Sequence, residues 1–121
     1  GGLPDVSLVP IDTDLISTDE AAVYAKYLKQ NTFFGPNAWY VNGDSNEAFD
    51  LTKTDKKLTM PSLFVHARYD YVCDTLSTAW PDFMRENCTN LTEKTIDSGH
   101  WVSQEKPEEL NNVIDSWIAT F

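Results

Sequence analysis

Hydrophobic and polar positions follow two regimes along this chain, and the change falls at Pro61. Upstream, Val23, Tyr24, Tyr27 and Leu28 share one face at helical spacing. Ser17 and Glu20 stand just before them as an S-x-x-E capping box, so a helix is predicted over about 18–30. The residues before it, Gly1 to Ile16, mix Gly, Pro and Asp with scattered apolar positions and keep neither period, which reads as a loop. After the helix, Thr32 to Tyr40 is rich in aromatic residues and carries Gly35-Pro36. Because a residue before proline is pushed toward extended backbone, an aromatic turn is expected there. Val41 to Met60 is a polar connector with a short helix expected around Asn46 to Leu51 and a Lys-rich approach to Pro61.

Downstream of Pro61 the pattern changes to that of a parallel sheet. Ser62 to Ala67 is a nearly continuous apolar run of strand length, expected to be buried on both faces. Arg68 to Asp74 is a polar turn, and Leu76, Trp80, Phe83 and Met84 form a helix-like stripe broken at Pro81, which predicts a kinked or two-part helix. Leu91 to Ile96 reads as a second strand and Asp97 to Trp101 as a tight turn. Leu110, Val113, Ile114, Trp117 and Ile118 then mark an amphipathic final helix. Strand, loop, helix, strand, loop, helix is the order of an α/β unit with parallel strands.

Composition narrows the functional classes. At 121 residues the chain has the size of one domain or part of one, with 41% hydrophobic residues and four Trp to build a core. A net charge of −10, with no Lys/Arg cluster, argues against nucleic acid and anionic membrane surfaces as partners. No apolar run is long enough to cross a bilayer, and a cytoplasmic setting is expected. Cys73 and Cys88, at opposite ends of the expected helix, are too far apart for a disulfide and read as free thiols. Asn87-Cys88-Thr89 and Asn90-Leu91-Thr92 are N-x-T triplets of low information.

Candidate chemistry lies in the loops that leave the two strands. In an open parallel sheet ligands bind beyond the carboxyl ends of the strands, and both Asp70 and His100 follow a predicted strand by a few residues. A crossover between neighbouring strands brings such loops together. An Asp on one ring nitrogen fixes the imidazole tautomer and leaves the other nitrogen to take a proton, which is two thirds of a hydrolase triad. His66, inside the apolar strand, reads instead as a packed, hydrogen-bonded core histidine.

These residues also carry a family resemblance. Pro61 to Asp70, then Gly99-His100-Trp101 and Glu105-Lys106-Pro107, resemble the C-terminal section of epoxide hydrolases of the α/β-hydrolase fold. Gly35-Pro36-Asn37-Ala38-Trp39-Tyr40 looks like that family's G-P-x-x-W-Y cap motif, and Trp39 to Asp44 looks closest to fungal members. The resemblance implies an α/β class and two regions: 1–60 as the end of a helical cap with its connector, and 61–121 as the last two βα units of the core. It makes Asp70 the triad acid, His100 the base that activates water against an ester intermediate, and Tyr40 the donor to the epoxide oxygen. Trp101, Tyr71 and Val72 would line the substrate pocket. No cofactor or metal is called for.

The chain departs from the family pattern in three respects. A nucleophile elbow and an H-G-x-P-type oxyanion loop are both missing from the sequence, as is a match to the family's second cap tyrosine. The expectation is therefore a section of an epoxide hydrolase whose nucleophile lies on a missing N-terminal part, inactive by itself. Its partners would be that N-terminal half or a second copy, together with a small epoxide. The same fold and dyad also serve dehalogenases and ester hydrolases, and a non-catalytic binding or assembly module could keep the scaffold.

Overall fold

The computed structural model describes residue 5, residues 8–54 and residues 57–121. Positions 1–4, 6 and 7 of the expected leading loop, and two positions of the Lys-rich approach to Pro61, lie outside them. The described chain forms two compact units, 1–52 and 53–121.

The first unit is helical. Helix α1 (Thr18–Asn31) starts where the capping box places it: the Ser17 hydroxyl accepts from the Glu20 N–H, and the Glu20 carboxylate accepts from the Ser17 N–H at 2.9 Å. It ends at Thr32, whose φ of 61° is a rare conformation for a β-branched residue. Helix α2 (Phe34–Val41) occupies the segment expected to be an aromatic turn. Proline is tolerated there because Pro36 is the third residue of the helix, where a backbone N–H has no intrahelical acceptor to lose. The extended preference of Gly35 yields to the helix; a Cβ at this glycine would meet nothing within 4 Å. Helix α3 (Gly43–Asp50) is the expected connector helix, begun three residues earlier.

The second unit is α/β. Strand β1 (Ser62–Ala67) and strand β2 (Leu91–Ile96) match the two predicted runs and pair in parallel, with Ser62 opposite Leu91 and Ala67 opposite Ile96. Between them, helix α4 (Asp82–Asn87) is only the second half of the expected kinked helix. The first half is a looped segment because Asp74 captures its donors. The Asp74 carboxylate accepts from the N–H groups of Leu76 and Ser77 and from the Ser77 hydroxyl, while the Thr78 hydroxyl donates to the Asp74 carbonyl. Such Asx-type bonds compete with helix formation, and Pro81 then takes the cap position of α4. The helix that would have separated Cys73 from Cys88 is thus mostly absent, yet both cysteines are free thiols.

Helix α5 (Val102–Glu105) follows the Asp97–Trp101 turn, and α6 (Pro107–Ile118) ends the unit. Pro107 opens α6 and Glu108 and Glu109 lie in its first turn, all suited to a helix N-terminus. Its Leu110, Val113, Ile114 and Trp117 face is half-buried, and the helix packs against β2 and α5.

The core is thin. Ile96 is the one hydrophobic side chain fully buried among the described residues. Strand β1 was expected to be buried on both faces, but His66 alone is buried and its other residues are half-exposed. Two paired strands and one flanking helix cannot cover both faces of a sheet, so side chains of the apolar run meet solvent.

His66 is the packed, bonded histidine the sequence suggested. It is 3% exposed, its Nδ1 lies 2.8 Å from the Thr75 hydroxyl, and its Nε2 lies 2.9 Å from a Glu93 oxygen. Arg85 grips the same carboxylate through Nε and Nη2, tying α4 to the sheet.

Candidate active site

Parallel pairing between the strands does not stop at their ends. The Arg68 N–H donates to the Ile96 carbonyl and the Tyr69 N–H to the Ser98 carbonyl, both at 2.9 Å, and Arg68 also pairs with Asp97. These bonds hold the two exit loops side by side up to the residue before Asp70 and two residues before His100. Asp70 Oδ2 then lies 2.9 Å from His100 Nδ1, thirty positions away in sequence.

The Asp70 carboxylate is fixed on both oxygens. While Oδ2 faces the imidazole, Oδ1 accepts from the N–H groups of Val72 at 3.0 Å and Cys73 at 2.9 Å. Burial pushes the Asp70 carboxyl up, but the Cys73 N–H, the His100 ring and the Val72 N–H outweigh it and hold the group below the ordinary Asp range. Asp70 therefore stays ionised and acceptor-only, so Nδ1 carries the proton of the shared bond. With Nδ1 engaged, Nε2 is the ring nitrogen left to accept a proton from water or a substrate. The His100 side chain is 41% exposed against 11% for Asp70, a wet base on a sheltered acid.

Of the other residues singled out in the sequence, Trp101 stands edge-on to the His100 ring with centroids 5.4 Å apart. Val72 supports Asp70 through its backbone while its side chain and that of Tyr71 are open to solvent, Tyr71 90% exposed. Tyr40 belongs to the first unit, on α2, with its side chain at the surface. Two shallow concavities of the second unit lie along Glu105 to Glu109 and between β2 and α6, and neither Asp70 nor His100 lines these two. The dyad sits on an open edge.

Two neighbours escaped the sequence reading as site residues. One is Cys73: a donor atom from each of Asp70, Cys73 and His100 lies within 4.8 Å of the others, a set able to offer O, S and N ligands to a divalent ion such as zinc. The other is Glu105. Its Oε2 accepts from the Gly99 N–H at 2.6 Å and its Oε1 from the Trp101 N–H at 3.2 Å, so one carboxylate spans the backbone on both sides of His100. Its place in the Glu105-Lys106-Pro107 motif was the available signal for it.

A parallel α/β unit with a buttressed Asp–His pair beyond its strand ends defines the class of this half of the chain. Similarity to known proteins then narrows that class. The chain is 30% identical over 107 residues to Bifunctional epoxide hydrolase 2 of Sus scrofa, a match covering 88% of this chain and 19% of that protein. It is 29% identical over 125 residues to the Mus musculus protein of the same name, covering 96% and 20%. It is 33% identical over 103 residues to Epoxide hydrolase B of Mycobacterium tuberculosis (strain ATCC 25618 / H37Rv), covering 79% and 27%. No protein-family model matches the chain. Over most of its length, then, the chain is similar to a section of epoxide hydrolases, and it spans about a fifth to a quarter of the length of the curated relatives it matches.

Proposed function

We propose that this chain is the section of an α/β-hydrolase-fold epoxide hydrolase that carries the acid and base of its triad, residues 61–121 belonging to the core and 1–60 to the end of a cap and its connector. One observation carries this reading: the 2.9 Å bond between His100 Nδ1 and Asp70 Oδ2, in a chain whose curated relatives are named epoxide hydrolases. In this reading a carboxylate nucleophile from outside these residues opens the epoxide and forms an ester, and the Tyr40 hydroxyl protonates the departing alkoxide. His100 Nε2 takes a proton from water as that water attacks the ester carbonyl, and Asp70 stabilises the imidazolium that results. Ester cleavage returns the nucleophile as a carboxylate and releases a diol, and the proton held by His100 returns through solvent to the Tyr40 phenolate, so one epoxide and one water give one diol. Trp101, Tyr71 and Val72 form the wall of the pocket once the open edge is covered.

The thin core supports the companion half. A dyad on an uncovered edge, beside an apolar strand that is half-exposed, fits a larger sheet supplied by the remainder of a hydrolase core. The relatives, which are named epoxide hydrolases, favour epoxide opening over haloalkane or ester hydrolysis on the same dyad.

The test is steady-state conversion of an aryl epoxide to its diol by the natural full-length protein. Wild type should turn over, Asp70→Asn and His100→Ala should not, and Tyr40→Phe should be slowed. Undiminished turnover by the His100 variant would rule out the assigned roles.

A further inference from the structure

Glu105 is the last residue of the four-residue helix α5, whose cap residue is Trp101. Trp101 offers no side-chain cap, and the Glu105 side chain folds back instead to take the Trp101 N–H, closing a turn already closed by the Glu105 N–H on the Trp101 carbonyl at 2.9 Å. That alone would be a variant of the capping box. The second oxygen goes further. It accepts from the Gly99 N–H at 2.6 Å, outside the helix and on the far side of His100.

A bidentate carboxylate on the N–H groups of the residues before and after His100 restrains the backbone on either side of the imidazole. Gly99 makes room for it: a Cβ there would fall 2.9 Å from Glu105 Oε1 and 3.3 Å from Oε2, so any larger residue makes the carboxylate shift against its two donors. The Asp70 side is restrained separately, by the Val72 and Cys73 N–H groups. The exposed His100 side chain has the Asp70 bond and the Trp101 ring contact, and neither fixes its backbone.

We propose that Glu105 is a positioning residue for His100, holding the base at the angle from which Nε2 reaches the hydrolytic water. The assignment rests on the epoxide-hydrolase reading above and deepens it. It predicts a split between the two chemical steps, because His100 acts in ester hydrolysis and not in ester formation. A base displaced by a fraction of an ångström to an ångström slows its own step by about 10–100-fold. A role confined to stability would lower the folded fraction and scale both steps alike.

The experiment is rapid-quench kinetics on the natural full-length protein with an aryl epoxide, resolving ester formation from ester hydrolysis. Glu105→Ala should leave ester formation within about 2-fold of wild type and slow hydrolysis by about 10–100-fold. Glu105→Gln, which keeps one acceptor oxygen, should fall between the two. Gly99→Ala should show the same split in milder form with Glu105 intact, and together with Glu105→Gln it decides the matter if Glu105→Ala does not fold. Equal effects on both steps, or an unchanged hydrolysis step, would overturn the assignment. His100→Ala is the control: if it accumulates ester and the Glu105 and Gly99 variants do not, the Glu105 role alone is wrong. If His100→Ala accumulates none, the underlying reading fails and Glu105 goes with it.

Discussion

Ala67 and Ile96 stand opposite each other at the ends of two parallel strands, and that register is what lets residues 70 and 100 meet. Asp70 lies three residues beyond one strand end and His100 four beyond the other. The bonds from Arg68 to Ile96 and from Tyr69 to Ser98 carry the pairing out to them. Sheet register thus brings the two loops together, and the bond between Asp70 and His100 closes the dyad within that frame.

Replacing Asp70 with Asn tests the tautomer argument. The amide keeps the shape of the carboxylate but can present an N–H to Nδ1, which favours the wrong tautomer and removes the charge that stabilises the imidazolium. Ester hydrolysis should fall by about 10³–10⁴-fold, while ester formation is nearly unchanged. Rapid-quench partitioning of the two steps measures both.

Acid stability should depend on Glu93. Its carboxyl is held below the ordinary Glu value of 4.5, first by the hydrogen bond from Arg85 and then by the bond to His66, against a smaller opposing effect of burial. A carboxyl with a lowered folded value contributes stability that is complete above its unfolded value and is lost as the pH falls through the folded one. Asp70 acts with the same sign below its ordinary 3.8. Stability against urea should therefore drop as the pH is lowered through 4.5, and Glu93→Gln should flatten the upper part of that drop. An unchanged profile in the variant would show that the Arg85–Glu93–His66 bonds are not linked to folding.

His66 anchors the loop that leads from Asp70 to α4. Substituting Phe would strand the Thr75 hydroxyl and remove one partner of Glu93, at a cost of about 1–3 kcal/mol in unfolding free energy. Chemical denaturation of the full-length protein gives the number. A loss much below that range would mean the two bonds are replaced by water.

In the first unit, Ser17→Ala should destabilise α1 by about 0.5–2 kcal/mol, since it removes the acceptor for the Glu20 N–H. Amide exchange in the first turn of α1 should speed up accordingly, with α2 and α3 unaffected.

Periodicity made both strands legible to the residue, because β1 and β2 are bounded by clear polar or proline punctuation. The capping box of α1 and the stripe of α6 were equally plain. Three features were not. The rule that disfavours helix before proline misread Gly35-Pro36, since a proline in the first helical turn has no bond to lose. The stripe from Leu76 to Met84 looked helical, but Asp74 satisfies the backbone of the following residues in another shape. Continuous apolarity implied a strand buried on both faces, and burial depends on neighbours that a local pattern does not contain. For the site, loop position and chemistry picked out Asp70 and His100. The second carboxylate, at Glu105, was visible only as part of a motif, because its partners are backbone N–H groups that carry no residue signature.

If Asp70 and His100 are, as proposed, the acid and base that hydrolyse an ester formed from an epoxide, that ester accumulates when the base is removed. The most direct measurement is the intact mass of the full-length His100→Ala protein after mixing with an aryl epoxide. A stoichiometric covalent adduct, with the mass of one epoxide, should persist in this variant and turn over in wild type. A variant that stays unmodified, or that releases diol at the wild-type rate, would rule out these roles.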